Sequence, residues 1–491
     1  MVKPKYVQML APTHKMPTMM TASIAKYNCV KGEEFSFLNL EHQFAGWNFT
    51  DNGMLWAYNQ NYFDWINQEG ITAEEGCKWI DLFNSQLSTL NSTLSFDPYP
   101  IALRGINWIK FFCHHPECAT KGREDSLYSQ YRLLERKLEY HLLGNHLLED
   151  AFSLTIGGYY FADEHMKQKW TRLLHQELQE QILPDGAHYE QSPMYHCILL
   201  DRLLDTYNFT RAANLVPFAQ RMLGHLESIC YEDGTWPFFN DAAQGIAPTT
   251  QAIKDYARRL GISWNALPLK ECGYRKMQSK RMEAFVDVGN IAATYQPGHS
   301  HADALTFELR IDGKPFIVDT GITTYEKNAR RQYERGTAAH NTVTVNGRDS
   351  SEVWGGFRVG RRAAVSVIKE EQERSTKKLV AVHDGFGVLH ERQFHIDEKC
   401  FAVSDRCIEE RTETLKADRY VSHIHFSPSI GEICLQEDNV IHTDLADIKV
   451  TGATEIVLYP CEVSTAYNRL QNTTEAVVFF ETQCQFSVFP I

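Results

Sequence analysis

Ala304-Leu305-Thr306-Phe307-Glu308-Leu309-Arg310-Ile311-Asp312-Gly313-Lys314-Pro315-Phe316-Ile317-Val318-Asp319 places two strand-like runs on either side of an Asp-Gly pair. Side chains of a strand point alternately to its two faces, so a period of two reads as a half-buried strand. Asp-Gly supplies the two positive-φ residues that a tight hairpin turn needs. The stretch therefore predicts a β-hairpin. The same period is already present in Phe285-Val286-Asp287-Val288, and Asn346-Gly347 marks another turn after Thr342-Val343-Thr344-Val345. Strand patterns continue to Phe486-Ser487-Val488-Phe489 with no further long helix. A large antiparallel β-sandwich is expected for the C-terminal part.

Upstream the period changes. From about Asn59 to Gly261 the apolar residues recur at helical spacing. Thr72 with Glu75 forms a capping box ahead of Trp79, Ile80, Leu82 and Phe83. Further amphipathic stretches run through 106–112, 131–138, 170–178 and 198–204. Ile182-Leu183-Pro184-Asp185-Gly186 and Ile229-Cys230-Tyr231-Glu232-Asp233-Gly234 each close a helix with Asp-Gly and lead into aromatic residues. Such an echo suits stacked or ringed helical hairpins whose inner loops line a cleft. The predicted fold class is α+β multidomain, with helices over 1–279 and the sandwich over 280–491, divided at a polar, basic stretch near Lys280.

At 491 residues the chain is too long for one ordinary core, and about 150 residues per domain favours two or three units. Its 43% hydrophobic and 23% charged residues are those of a soluble globular protein. No apolar run approaches the ~20 residues needed to span a bilayer. The formal charge of -13 argues against a nucleic-acid partner, while a local basic groove could still bind an anionic substrate. The 12 cysteines are scattered, as buried thiols rather than a disulfide framework. Cys113-His114-His115-Pro116-Glu117-Cys118 has metal-binding residue types, but no second Cys/His pair follows at zinc-finger spacing. Met1 to Leu10 does not read as a secretory signal. The expected location is the cytoplasm, or the periplasm if the chain has been trimmed.

The chemistry-bearing residues begin with Gly298-His299-Ser300-His301-Ala302-Asp303, two histidines one residue apart at the end of a strand-like run. That spacing suits a metal ligand beside a proton-transfer base. With Asp319 and His340, each in another strand-like stretch, His301 makes a plausible Zn²⁺ ligand set with a fourth position for water or a neighbouring side chain. In the helical half, Asn145, His146 and Glu149 lie within one turn, and Tyr195 stands near a helix start. Taken alone, these residues are more simply ordinary capping and surface polar groups and a packed aromatic. Trp56 and Asn240 could line sugar subsites or belong to the core. Arg330, Arg331 and Arg335 could pair with carboxylate or sulfate, or form a solvated run.

Taken in order, Gly144-Asn145-His146 with Glu149, Ser192-Pro193-Met194-Tyr195-His196, Gly298 to Asp303, Val318-Asp319-Thr320-Gly321 and His340-Asn341-Thr342-Val343 resemble the heparinase II/III family of polysaccharide lyases. The resemblance implies an (α/α) toroid followed by an antiparallel β-sandwich, with the active site in the cleft between them. It implies Tyr195 as the catalytic acid, with the base role also open to it, and His299 as the partner base. Asn145 and His146 would hold the substrate carboxylate, and His301, Asp319 and His340 would bind zinc. Glu149 matches a family position near the acid and, with Trp56, Asn240 and Arg335, completes the expected substrate-binding set.

The chemistry agrees with these assignments. Elimination beside a uronic acid removes the C5 proton next to a carboxylate whose charge opposes carbanion formation, and neutral donors aimed at that carboxylate lower the barrier. A base must reach C5 and an acid must protonate the departing O4. A tyrosine, with a reference pKa of ~10, donates readily to an alkoxide. Zinc two residues from the base would act structurally, by fixing the backbone that carries it. The leading expectation is therefore a lyase acting on a uronic-acid-containing, glycosaminoglycan-like polysaccharide or oligosaccharide. The alternatives are a zinc-dependent glycan hydrolase, or an inactive glycan-binding protein of surface-polysaccharide assembly.

Overall fold

Asp312 and Gly313 both take positive φ, 49° and 76°, and the strands Phe307–Ile311 and Lys314–Ile317 pair antiparallel across them. The hairpin read from the sequence is thus present, shorter at its start because Leu305 (φ 63°) turns the chain ahead of Phe307. The computed structural model describes residues 4–14, 21–26, 29–90, 94–373, 376–408 and 419–491. They form two compact units: Met1–Ile182, Cys197–Leu223 and Pro248–Trp264 in one, and Leu183–His196, Gly224–Ala247 and Asn265–Ile491 in the other.

The first unit is mainly helical. It holds α1 (Met54–Tyr62), α2 (Ala73–Ser85), α3 (Leu87–Leu90), α4 (Pro98–His114), α5 (Lys121–Leu134), α6 (Gly144–Tyr160), α7 (Glu164–Gln181), most of α8 (Pro193–Thr210), the start of α9 (Val216–Ile229), and α10 (Thr250–Arg259). The capping box forms as predicted, with Glu75 N–H donating to Thr72 Oγ1 at 3.2 Å and Thr72 N–H to Glu75 Oε2 at 2.9 Å. Helix α7 buries Met166, Trp170, Leu174 and Leu178, a four-residue spacing that keeps one stripe inward. It lies close against α6 because Gly158 has no side chain, and a Cβ there would stand 2.7 Å from Lys167 N. Among the described residues no helix is long and apolar enough to cross a membrane.

The second unit is the antiparallel sandwich. Tyr274–Gln278, Met282–Asp287, Phe307–Ile311 and Lys314–Ile317 form one sheet in sequence order. The larger sheet runs Val365–Glu373, Thr376–His383, Leu389–Ile396, Phe401–Ile408, Arg469–Pro490, Ala446–Ala466, Val440–Thr443, Ile433–Gln436, with Tyr420–His425 pairing both Arg469–Pro490 and Val343–Val345. Burial in Leu389–Ile396 alternates residue by residue, the period of two that marks a strand with one face in the core. The core joins both sheets: the Phe307 ring packs on Phe394, Phe401 and Phe486 at centroid distances of 6.0, 5.4 and 5.9 Å.

The division is not a single cut near Lys280. Leu183–His196 and Gly224–Ala247, which read as parts of the helical half, pack with the strands. Each carries one of the echoing Asp-Gly turns, and the two share a geometry: Leu183 N–H donates to Ala187 O and Tyr231 N–H to Thr235 O, with Gly186 and Gly234 at φ 83° and 81°. Their side chains bind sandwich residues, Asp185 through Cys272 N–H at 2.9 Å and Tyr231 through Glu308 at 2.8 Å.

Candidate active site

His299 and His301 do not end a strand. They lie on an irregular segment between Met282–Asp287 and Phe307–Ile311, where no ladder satisfies the backbone. Buried side chains do so instead. Arg335 donates through Nε and Nη2 to Ser300 O at 3.2 and 2.8 Å, Asn240 Oδ1 accepts His301 N–H at 3.0 Å, and Thr337 Oγ1 donates to Ala302 O at 2.6 Å. Asp319 follows its strand, and His340 follows a short 3-10 turn at Thr337–Ala339.

This corrects two of the substrate-binding expectations. Arg335 is buried with its guanidinium spent on backbone carbonyls, and Asn240 is buried with its amide donating to Gln191 O and Tyr274 Oη. Neither offers a free group to a sugar; both hold the histidine segment.

Behind the histidines stands Asp241. Its carboxylate accepts from His299 Nδ1 at 2.8 Å, from His301 Nε2 at 2.8 Å, and from both terminal nitrogens of Arg331, one at 2.7 Å. Arg331 and those histidine hydrogen bonds hold the Asp241 carboxyl well below the usual carboxylate range despite its burial. An ionised carboxylate only accepts, so His299 donates to it through Nδ1, and Nε2 points away from Asp241, 4.0 Å from Glu190 Oε2. The Tyr195 ring lies over the His299 ring, centroids 4.0 Å apart and planes at 33°. Tyr195 sits in the first turn of α8, where Ser192 Oγ accepts Tyr195 N–H at 3.3 Å and donates to Asp241 O at 2.6 Å. Its hydroxyl is 3.2 Å from that of Tyr325. Burial pushes the Tyr195 phenol above its ordinary value, so it keeps its proton at neutral pH.

His340 Nδ1 bonds Asp319 Oδ2 at 2.7 Å, and the His301 and His340 ring centroids are 5.3 Å apart. The remaining nitrogens, His301 Nδ1 and His340 Nε2, are buried without a hydrogen-bond partner, as is Asp303 Oδ2. Asp319 meets His340 at Nδ1, on the opposite side of the ring from Nε2, and its Oδ1 accepts Gly321 N–H at 2.9 Å, so as placed it orients the His340 ring.

In the helical unit, Asn145 is buried and His146 half-buried at the start of α6, with His146 Nδ1 2.9 Å from Glu139 Oε2. Glu149 is wholly buried, 3.4 Å from Arg202 Nε, and cannot touch a substrate as placed; burial pushes its carboxyl up to about 7. Trp56 is also a correction. It is buried against Phe37 and Phe49, with Nε1 donating to Leu40 O at 3.0 Å, so it is core and lines no open subsite.

Sequence reading missed Asp241 and Tyr325, and left Arg331 between a substrate anion and a solvated run where the structure buries it against Asp241. The available signal was Asp241 itself, an acid within the apolar run Phe238-Phe239-Asn240-Asp241-Ala242-Ala243. A carboxylate in such a run is buried, and a buried carboxylate requires partners.

The family description "Heparinase II/III-like, C-terminal" matches residues 262–485, and "Heparinase II/III N-terminus" matches residues 126–260. The chain belongs to the heparinase II/III family. This heparinase II/III protein is similar to a heparin-sulfate lyase of Pedobacter heparinus, 28% identical over 55% of this chain and 45% of the relative. It is also similar to one of Bacteroides stercoris, 21% identical over 78% and 61%. It thus spans less than two thirds of the length of these relatives. In fold it resembles a crystal structure of heparinase III (TM-score 0.70, 16% identity, 89% of this chain and 76% of that one). A heparan sulfate lyase structure from Pedobacter heparinus gives a TM-score of 0.61 at 18% identity, over 93% and 81%. A chondroitin AC lyase of Streptomyces coelicolor gives 0.53 at 10% identity, over 88% and 74%.

Proposed function

We propose that this heparinase II/III protein is a polysaccharide lyase that cleaves uronic-acid-containing, glycosaminoglycan-like chains by β-elimination. The observation that carries the proposal is the Tyr195 ring, its centroid 4.0 Å from that of His299, over an imidazole that Asp241 holds through Nδ1 at 2.8 Å. His299 Nε2 takes the C5 proton of the uronate, and the C5 electron pair forms the C4–C5 double bond as the bond to O4 breaks. Tyr195 Oη protonates the departing O4, and Tyr325 Oη lies where it can donate to the phenolate left behind. For Asn145 and His146 the proposed task is donation to the uronate carboxylate, which stabilises the enolate-like state. The names of the relatives support a sulfated glycosaminoglycan as substrate.

Zinc is proposed as a structural ion, held by the two partnerless nitrogens, His301 Nδ1 and His340 Nε2, with a carboxylate. It would supply rigidity to the segment bearing His299, and no proton transfer passes through it.

The test is the ultraviolet absorbance of the conjugated unsaturated uronate when the protein meets heparan sulfate, chondroitin sulfate, hyaluronan and alginate. Growth of that absorbance on one of them is the expected outcome. New reducing ends without it would mean hydrolysis and end the proposal.

A further inference from the structure

Away from these residues, the turn after α7, helix α9 and the residue pair ahead of Tyr274–Gln278 bring three different ligand types together. A carboxylate oxygen of Asp185, a ring nitrogen of His225 and the Cys272 sulfur all lie within 4.8 Å of one another. All three side chains are buried, at 4%, 3% and 0% exposure. His225 Nδ1 has no hydrogen-bond partner, a cost that a protein interior rarely carries without a ligand.

The surroundings are arranged in advance. Asp185 Oδ2 accepts N–H groups of Lys270 at 3.1 Å and Cys272 at 2.9 Å, and Oδ1 accepts Ala187 N–H at 3.3 Å, which fixes the carboxylate's direction. Cys272 is held from the other side by Gly273, whose φ is 86° and where a Cβ would stand 2.1 Å from Gly289 Cα. Burial and the Asp185 charge push the Cys272 thiol well above its ordinary range, so without a cation it keeps its proton.

We propose that Asp185, His225 and Cys272 form a second, structural site for a zinc-class divalent cation. One sulfur, one imidazole and one carboxylate suit tetrahedral Zn²⁺ and do not suit Ca²⁺ or Mg²⁺, which take oxygen. The fourth position falls to water or to His196, whose ring centroid lies 4.9 Å from that of His225. On binding, the thiol proton leaves to solvent and the thiolate electron pair forms the metal–sulfur bond, with no change of oxidation state. The ion would staple the Asp185–Gly186 turn to the sandwich, ten residues ahead of Tyr195. The site does not depend on the lyase reading.

Cobalt reports it. Co²⁺ bound by imidazole and carboxylate gives only weak visible bands, whereas a cysteine ligand adds an intense near-ultraviolet charge-transfer band. The full chain loaded with Co²⁺ should show that band, and Cys272→Ala should lose it together with one bound equivalent. His225→Gln, a second variant in case Cys272→Ala does not fold, should also lose one equivalent. A full chain saturated with Co²⁺ and lacking the band overturns the proposal, and so does a band that survives in Cys272→Ala. Because the His301 and His340 site contains no sulfur, its failure to bind would leave the band in place.

Discussion

Asp241 accepts the Nδ1 proton of His299 at 2.8 Å while Arg331 grips the same carboxylate with both terminal nitrogens. The pair fixes Nδ1 as the donor of His299 and so turns Nε2 away from Asp241, and one carboxylate sets His301 as well. Asp241→Asn replaces a pure acceptor with a group that can donate, so the favoured tautomer is lost. The expected fall in kcat is about 10²–10⁴-fold, as when the orienting acid of a catalytic triad is replaced. The same change leaves the buried Arg331 without its counter-charge, at a cost of ~3–5 kcal/mol. Turnover is therefore measured on protein shown by circular dichroism to be folded; full turnover there would remove Asp241 from the mechanism.

Tyr195→Phe keeps the ring on His299 and removes only the hydroxyl. Turnover on the substrate found by the absorbance screen should fall by about 10²–10⁴-fold, the usual worth of a positioned acid, with KM little changed. A variant that turns over like the parent would transfer the acid role elsewhere.

How much of this was legible in the sequence follows from what each residue signals locally. The Asp312-Gly313 hairpin and the Thr72–Glu75 box were readable because turn and cap chemistry is local. Tyr195, His299, His301 and His340 were recognisable only as an ordered set of motifs. The structure places Tyr195 against His299, and His301 beside His340. For Asp241 the apolar run around it marks burial, but not its partners, His299 and Arg331, which are 58 and 90 residues away. Arg335 and Asn240 were misread for a related reason: a polar residue in a loop looks available to ligand until the backbone that needs it is seen.

Trp56 is the converse case, an aromatic assigned to sugar binding that lies in the core. Trp56→Ala should cost ~3–5 kcal/mol in denaturant unfolding of the chain, and KM should not move. A raised KM with stability intact would return Trp56 to the substrate.

Zinc at His301 and His340 has a direct readout in bound metal by mass spectrometry. His340→Ala should lose one zinc equivalent and lower the thermal midpoint, while the parent in zinc at a thousand times its Kd gains about 4 kcal/mol. Equal zinc in variant and parent would remove His340 from the ligand set. Asp319→Asn should retain part of the zinc, because Asp319 bonds His340 and leaves its ring nitrogen to the ion.

Glu149 couples the helical unit to pH. Burial raises its carboxyl to about 7, opposed by Arg202 and His146 and reinforced by Asp201 and Asp205. The folded-state value lies above the unfolded value of ~4.3, so the folded chain binds the proton more tightly. That contribution is fully present below the unfolded pKa and is lost as pH rises through about 7. Glu149→Gln stays neutral throughout, and Arg202 retains Asp201 at 3.2 Å as a partner. Between pH 5 and pH 8 the parent should lose more stability than the variant, by up to on the order of 3 kcal/mol. Thermal unfolding of both proteins across that range measures the difference, and parallel curves would mean that Glu149 stays ionised in its buried place beside Arg202.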